Sequence, residues 1–365
     1  MNLKEYQGKE IFRKYNIKIP DGFLIKDIED IGKNINKIKS EQFVLKSQIL
    51  AGGRGKSGGI IFTDKKNIKK SVSSLLGKTI RGFKVEEILA EEKLKIDKEF
   101  YLSLTVDRQK KNILLIFSSG GGIDIEELAA KSPEKIIKVF MDDYNKGILK
   151  KYIGSLDEID NVILSLKKII YDYDAELVEI NPLVLANNQL IAADSKIVLD
   201  DNALFRHPEF IPLKESQLTD IEKKSAKYGL NYVELDGNIA VIGNGAGLVM
   251  ATLDMLNYFG GRAANFLDVG GGASIETMEK AIEIAMLKNP KGFFINIFGG
   301  ITRCDNIANG LVNYLDKNKI KIPIVVRMIG TNEEDGNKIL NENGIYTLSS
   351  MEEAAEKIVE LVKKK

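Results

Sequence analysis

From Leu230 onward, strand-like runs at Ile239–Ile242, Asn265–Val269, Phe293–Phe298, Ile324–Met328 and Ile345–Leu348 are each followed by a helical pattern. No other feature of the chain limits its fold so strongly. Strands separated by helices cannot pair through tight hairpins; the crossovers make successive strands parallel and lay helices on both faces of the sheet.

The earlier part has a different rhythm. A helical spacing from Leu3 to Tyr15 ends before Pro20 and Gly22. Strands are then expected at Phe43–Ile49, Gly59–Thr63, Ile88–Leu94, Phe100–Val106, Ile113–Ser118, Leu177–Val184 and Leu190–Ala193, with helices at Asp64–Leu76 and Asp157–Tyr171. That mixture reads as α+β. With 365 residues, 44% of them apolar, the chain can bury more than one core. Phe205–Leu213 holds two of the seven prolines and leads into the charged, helix-like Thr219–Tyr228. The expected division is therefore 1–228 and 229–365.

Fifty-three basic residues against 52 acidic ones leave no net field to recruit nucleic acid or an anionic membrane, and no run is apolar enough to span a bilayer. Cys304 is the only cysteine, so no intramolecular disulfide forms, which suits a reducing compartment. The start of the chain resembles neither a secretory signal nor a transit peptide, and a cytoplasmic location is expected.

Ala51-Gly-Gly-Arg-Gly-Lys-Ser-Gly-Gly59 is the strongest candidate for chemistry. Its glycines permit positive φ and close backbone approach, so free amides can point at phosphate oxygens; Arg54, Lys56 and the upstream Lys46 would add charge-assisted contacts. Taken alone, the segment also reads as a flexible hairpin loop. Gly55-Lys56-Ser57 matches the end of a Walker motif, but Leu50 stands where its first glycine belongs, and a strand pattern rather than a helix follows Ser57.

Asn2–Glu10 and Lys46–Gly59 resemble the β subunits of succinate–CoA ligases. The likeness continues through Glu179-Ile-Asn-Pro-Leu183, Asn202–Arg206, Leu235–Asn238, Asn244–Gly247, Asn265–Gly272 and Asn296–Ile301, almost end to end. The resemblance implies an ATP-grasp domain followed by a flavodoxin-like CoA-ligase domain. It also implies ATP as nucleotide substrate, Mg²⁺ as cofactor, succinate as acid, and an α subunit that carries CoA and the phosphorylated histidine. The reaction would belong to the tricarboxylic acid cycle. Malate–CoA ligase β subunits share the plan and are the alternative.

On that resemblance Lys46 contacts the phosphates beneath a lid formed by the backbone of Gly53, Arg54 and Gly55. Glu91, Leu94 and Glu99 hold the base and sugar, and Pro20 matches the ATP-using members. Asn181 and Asp194, both hard oxygen donors, are the magnesium candidates, and Glu179 helps to position a phosphorylated imidazole. Without the resemblance, Asn181-Pro182 reads as a turn signal and Asp194 as a strand-end cap.

In the second half, Gly243-Asn-Gly-Ala-Gly247 has Leu248 where a dinucleotide fingerprint requires its third glycine, which argues against an NAD-dependent dehydrogenase. The resemblance instead assigns Asn244 and Gly300-Ile301-Thr302 to the acid substrate, the latter opening a helix whose N-terminus suits an anion. A nucleotide-binding regulator without catalysis would need neither these loops nor Asn181 with Asp194. His207, the only histidine, lies between Arg206 and Pro208, outside the family's catalytic positions. The expected phosphohistidine must then come from another chain.

Overall fold

The opening helical pattern forms α1 (Glu5–Lys14), whose buried residues include Glu5, Gly8, Lys9, Ile11 and Phe12. Two charged side chains thus sit on the stripe that faces inward. The computed structural model describes every residue except 52, 123–124, 154–157 and 365, and only the backbone at 131 and 151. The chain divides into two units, Met1–Ile211 and Pro212–Lys365.

In the first unit, β1 (Gly22–Ile25), α2 (Glu29–Asn34), β2 (Gln42–Ser47), β3 (Ile60–Asp64), α3 (Ile68–Leu75), the short pair β4 (Thr79–Ile80) and β5 (Phe83–Lys84), and β6 (Ile88–Glu92) follow α1. Antiparallel pairing gives the order β1-β6-β2-β3. Phe43, Leu45, Ile88 and Ala90 pack with Ile68, Val72 and Leu75 of α3. Because strand side chains alternate between faces, Val44, Lys46, Leu89 and Glu91 are turned to the other side. Val44 pairs with Glu91 and Lys46 with Leu89, so Lys46 and Glu91 are diagonal neighbours there.

The helix expected over 64–76 starts only at Ile68. Asp64 is the cause: its Oδ1 accepts the amides of Lys66 and Asn67 at 2.9 Å each, a local turn that competes with helix initiation. The strand expected to reach Leu94 stops at Glu92.

Next come β7 (Lys98–Asp107), β8 (Asn112–Ser118), α4 (Ile125–Lys131), β9 (Ile136–Phe140), α5 (Lys150–Ile153), α6 (Glu158–Asp172), β10 (Ala175–Ala186), β11 (Gln189–Ala192) and β12 (Lys196–Leu199), the strands of which form a second sheet. Its order is β11-β10-β7-β8-β9, with β12 also on β10. Asp157, where a helix was expected to begin, lies outside the described residues, and α6 is present from Glu158.

α7 (Ile211–Gln217) and α8 (Asp220–Ala226) precede β13 (Asn231–Glu234). Thr219 and Glu222 cap α8 reciprocally, and α8 packs on β13, within the second unit. Then come β14 (Ile239–Gly243), α9 (Ala246–Tyr258), β15 (Asn265–Asp268), α10 (Ile275–Met286), β16 (Gly292–Gly299), α11 (Cys304–Asn318), β17 (Ile324–Gly330), α12 (Glu333–Glu342), β18 (Tyr346–Thr347) and α13 (Met351–Lys363). The order β13-β15-β14-β16-β17-β18 is parallel apart from the edge strand β13. Numbered from β14, the parallel strands run 2-1-3-4-5, the flavodoxin-like arrangement expected from the sequence.

Apolar alternation explains the two cores. Ala240, Ile242, Phe293, Ile295 and Ile297 face α10 and α11, whereas Ile239, Val241 and Phe294 face α9 and α13. The β14–β15 ladder includes only Gly243 with Asp268, and Asn265 supplies the missing bonds with its side chain. Its Nδ2 donates to Val241 O at 2.8 Å and its Oδ1 accepts from Val241 N at 3.3 Å.

Candidate functional site

The glycine-rich segment is the connection of an antiparallel hairpin, with Lys46 of β2 opposite Ile60 of β3. Ser47 N donates to Gly59 O at 2.9 Å to close its base, and Gly59 N donates to Arg54 O at 2.8 Å. Gly53 and Gly58 carry φ of 65° and 73°, which side chains with a Cβ rarely adopt. No helix follows, so the segment is not a Walker loop. Gly53 and Gly55 are exposed at its turn, Lys56 is exposed, and Gly52 lies outside the described residues.

Beneath this loop six charged side chains converge. Lys46 Nζ lies 2.8 Å from Glu5 Oε1 and 2.8 Å from Glu91 Oε2, and donates to Ala193 O at 2.5 Å. Lys9 Nζ reaches the same carbonyl at 2.8 Å, Glu5 Oε1 at 2.8 Å and Glu91 Oε1 at 2.5 Å. From the loop, the Arg54 guanidinium bonds Glu5 Oε2, Asp194 Oδ1 at 3.1 Å and Ser47 O at 3.1 Å. Four of the residues singled out in the sequence, Lys46, Arg54, Glu91 and Asp194, are thus joined through Glu5 and Lys9.

Burial raises the Glu5 carboxyl, but Lys46, Lys9 and Arg54 outweigh it and hold the group well below the usual carboxylate range. Burial conversely pulls Lys46 down, and Glu5, Glu91 and Asp194 overcome this to hold it above its ordinary value. Asp194 is pushed up by its crowded surroundings and then by Glu5, against Arg54 and Lys46, although 37% of its side chain remains exposed.

The β10–β11 register ends with Leu183 opposite Ala192, and Ala193 N donates to Pro182 O at 3.1 Å. One step further places Asn181 and Asp194 across from each other. Asn181 Oδ1 accepts the Gly122 amide at 2.8 Å. Among the described residues no group of three or more His, Cys, Asp or Glu side chains is placed to hold a metal. An amide oxygen and a carboxylate are nonetheless suitable for Mg²⁺, which takes few protein ligands and fills the rest of its shell with phosphate and water.

Glu179, on β10, accepts from Tyr101 OH at 2.9 Å. Burial raises its pKa, opposed by Lys196 and the Tyr101 bond. Glu99 is exposed at the start of β7, and its carbonyl accepts the Gly121 amide at 3.2 Å. Ser118–Gly122 therefore links Glu99 to Asn181, a connection the sequence reading passed over. Gly121 has to be glycine, since a Cβ there would lie 2.6 Å from the Phe100 backbone. Leu94, half-buried beyond β6, does not join the charged group.

In the second unit, Asn244 and Thr302 brace loops at the carboxyl ends of the central strands. Asn244 Nδ2 donates to Phe298 O at 2.9 Å and to Thr302 Oγ1 at 3.2 Å, and its Oδ1 accepts from Phe298 N at 2.9 Å. Thr302 Oγ1 also accepts the Gly272 amide at 2.9 Å. Asp268 Oδ1 takes the amides of Gly245 at 2.6 Å and Gly270 at 2.8 Å. The helix expected to open at residues 300–302 starts at Cys304, whose amide donates to Thr331 O at 2.9 Å. Gly300 has open space around it and Ile301 is 84% exposed. These loops lie where strand order reverses between β14 and β16, the usual ligand crevice of an open α/β sheet.

Two family models match the chain: an ATP-grasp domain over residues 2–185 and a CoA-ligase domain over 242–360. The chain is 45% identical over 378 residues to a succinate–CoA ligase [ADP-forming] β subunit of Desulfurococcus amylolyticus, covering 100% of this chain and 99% of that one. A succinate–CoA ligase [GDP-forming] β subunit of Thermus thermophilus is 42% identical over 376 residues, covering 99% of each. The fold is also similar to that of an ATP citrate lyase from Methanothrix soehngenii, with a TM-score of 0.69, 20% identity, and coverage of 100% and 99%. Collinear domains and full-length identity of this order place the chain in the succinate–CoA ligase β-subunit family, as an ATP-grasp CoA ligase.

Proposed function

We propose that this chain binds ATP with Mg²⁺ in its first unit and succinate in its second. With an α subunit that carries CoA and the phosphorylated histidine, it converts succinate, ATP and CoA to succinyl-CoA, ADP and phosphate. The observation that carries this reading is the convergence of Lys46 and Arg54 beneath the glycine loop, beside Asp194 and the Asn181 strand end.

Lys46 and the loop amides of Gly53, Arg54 and Gly55 bind the phosphates, and hydrogen bonds to such charged groups contribute on the order of 1.5–3 kcal/mol each. Glu91, Leu94 and Glu99 hold the base and ribose. Asn181 and Asp194 would hold Mg²⁺, which neutralises charge on the phosphates when bound. Glu179, its proton affinity raised by burial, orients the imidazole that accepts the phosphoryl group. Gly300, Ile301 and Thr302 offer a carboxylate the approach to α11, with Asn244 fixing the loop.

The arrangement of His207 supports a phosphoryl acceptor outside this chain. Its Nε2 lies 2.9 Å from Asp174 Oδ2, its ring stacks on Tyr173 at 5.8 Å, and only 9% of the residue is exposed. Such packing is that of a structural side chain. Among the described residues no helix is long and apolar enough to cross a membrane.

Assaying the chain reconstituted with its α partner tests the substrates: succinate with ATP is expected to turn over at least about tenfold faster than malate with ATP. Preference for malate would transfer the chain to the alternative reading, and GTP in place of ATP measures the nucleotide preference in the same experiment.

A further inference from the structure

Lys46 Nζ donates to Glu5 Oε1 at 2.8 Å and to Ala193 O at 2.5 Å, and it is ion-paired with Glu91 Oε2 at 2.8 Å. A phosphate oxygen that approaches that ammonium competes with these groups for it. Ala193 O belongs to the backbone, and Glu91 is fixed within the sheet between β1 and β2. Glu5 is the acceptor shared by all three cations. One oxygen takes Lys46 and Lys9, the other takes Arg54, and its side chain is 1% exposed.

Charge accounting leads the same way. Lys9, Lys46 and Arg54 balance Glu5, Glu91 and Asp194, so the cluster is neutral as it stands. A carboxylate buried among cations mimics the anion those cations would otherwise bind.

Resting on the nucleotide site proposed above, we propose that Glu5 is a tethered counter-ion for the phosphate-binding cations: it positions Lys46, latches the glycine loop through Arg54, and competes with nucleotide phosphates for both. Glu5 is a positioning residue, acting through the groups that touch the nucleotide. Its bond to Arg54 ties α1 to the loop, so a phosphate that takes Arg54 from Glu5 exchanges one latch for another.

The test is Glu5→Gln in the full chain, with binding of labelled ATP measured by equilibrium dialysis in the presence of a chelator. The amide is nearly the same size but removes one negative charge, so ATP is expected to bind about tenfold tighter than to the unmodified chain. Inorganic tripolyphosphate, which has no base or sugar, should gain by the same factor. Without either anion, amide hydrogen exchange over residues 53–58 should speed up severalfold, and saturating ATP should return it to the unmodified rate.

A purely architectural Glu5 gives the opposite pattern, with weaker ATP binding and loop exchange that nucleotide does not restore; that result overturns the proposal. Should Glu5→Gln fail to fold, Glu5→Asp carries the test. Its shortened carboxylate cannot span all three cations, and ATP is expected to bind about threefold tighter, equal or weaker binding counting against the idea. If the unmodified chain binds neither ATP nor tripolyphosphate, the nucleotide site itself is wrong and the inference falls with it. Binding by the unmodified chain with no gain in either variant defeats the inference alone.

Discussion

Lys46→Ala should reduce ATP-dependent phosphorylation of the partner subunit by a factor on the order of 10³, to the background of the assay, while leaving the chain folded. The magnitude follows from what one preorganised, desolvated cation contributes to phosphoryl transfer. Glu5, Glu91 and Ala193 O hold Lys46 in place, so a phosphate that takes the place of Glu5 meets an ammonium already positioned. Lys46→Met separates charge from packing, because it keeps most of the apolar stem and removes the ammonium. Both variants should lose phosphorylation equally, measured as label from γ-phosphate-labelled ATP retained on the partner. Retention of a tenth or more of the activity by Lys46→Met would show that the stem, and not the charge, matters.

A second large effect is expected where two strands approach closely through glycines. Gly330 closes β17 with φ of 122°, opposite Gly299, and a Cβ there would lie 1.9 Å from Gly299 O. That carbonyl already accepts the Thr331 amide at 3.0 Å, and Thr331 Oγ1 donates to Gly300 O at 2.8 Å. Gly330→Ala must therefore adopt an unfavourable φ and push β16 and β17 apart. The combined cost is about 3 kcal/mol or more. For a unit of this size the thermal midpoint should fall by roughly 6–12 °C. Gly300→Ala is the contrast: nothing lies within 4 Å and its φ is not positive, so the midpoint should move by no more than about 2 °C. Equal shifts in the two variants would contradict the role given to Gly330.

From β14 onward the alternating strands and helices were legible in the sequence because two periodicities alternate there, whereas the antiparallel edge strand β13 was not expected. Ile239 to Ile242 and Phe293 to Ile295 are continuous apolar runs, which a strand covered on both faces requires. The roles of Asn265 and Asp268 were not legible. One replaces ladder bonds and the other collects two loop amides, and both depend on partners distant in sequence.

In the first unit, Leu50 and the strand after Ser57 excluded a Walker loop, as the hairpin register bears out. Where the helix after β3 begins was misplaced because the Asp64 side chain captures the next amides, a local competition that apolar spacing does not register. Glu5 and Lys9 were missed as site residues for a different reason. Counting back from Phe12 in steps of three and four reaches Lys9 and Glu5, so both charges lie on the buried stripe of α1. A charged i, i+4 pair on an inward stripe is the signal that could have exposed them.

The central claim is that the glycine loop and Lys46 serve to phosphorylate a residue on another chain. Incubating the reconstituted pair with ATP and locating the phosphate by mass spectrometry under conditions that preserve phosphohistidine tests this directly. The account predicts phosphate on a histidine of the partner subunit and none on His207, whose ring is stacked on Tyr173 and bonded to Asp174. Phosphate on His207, with the partner unmodified, would contradict it.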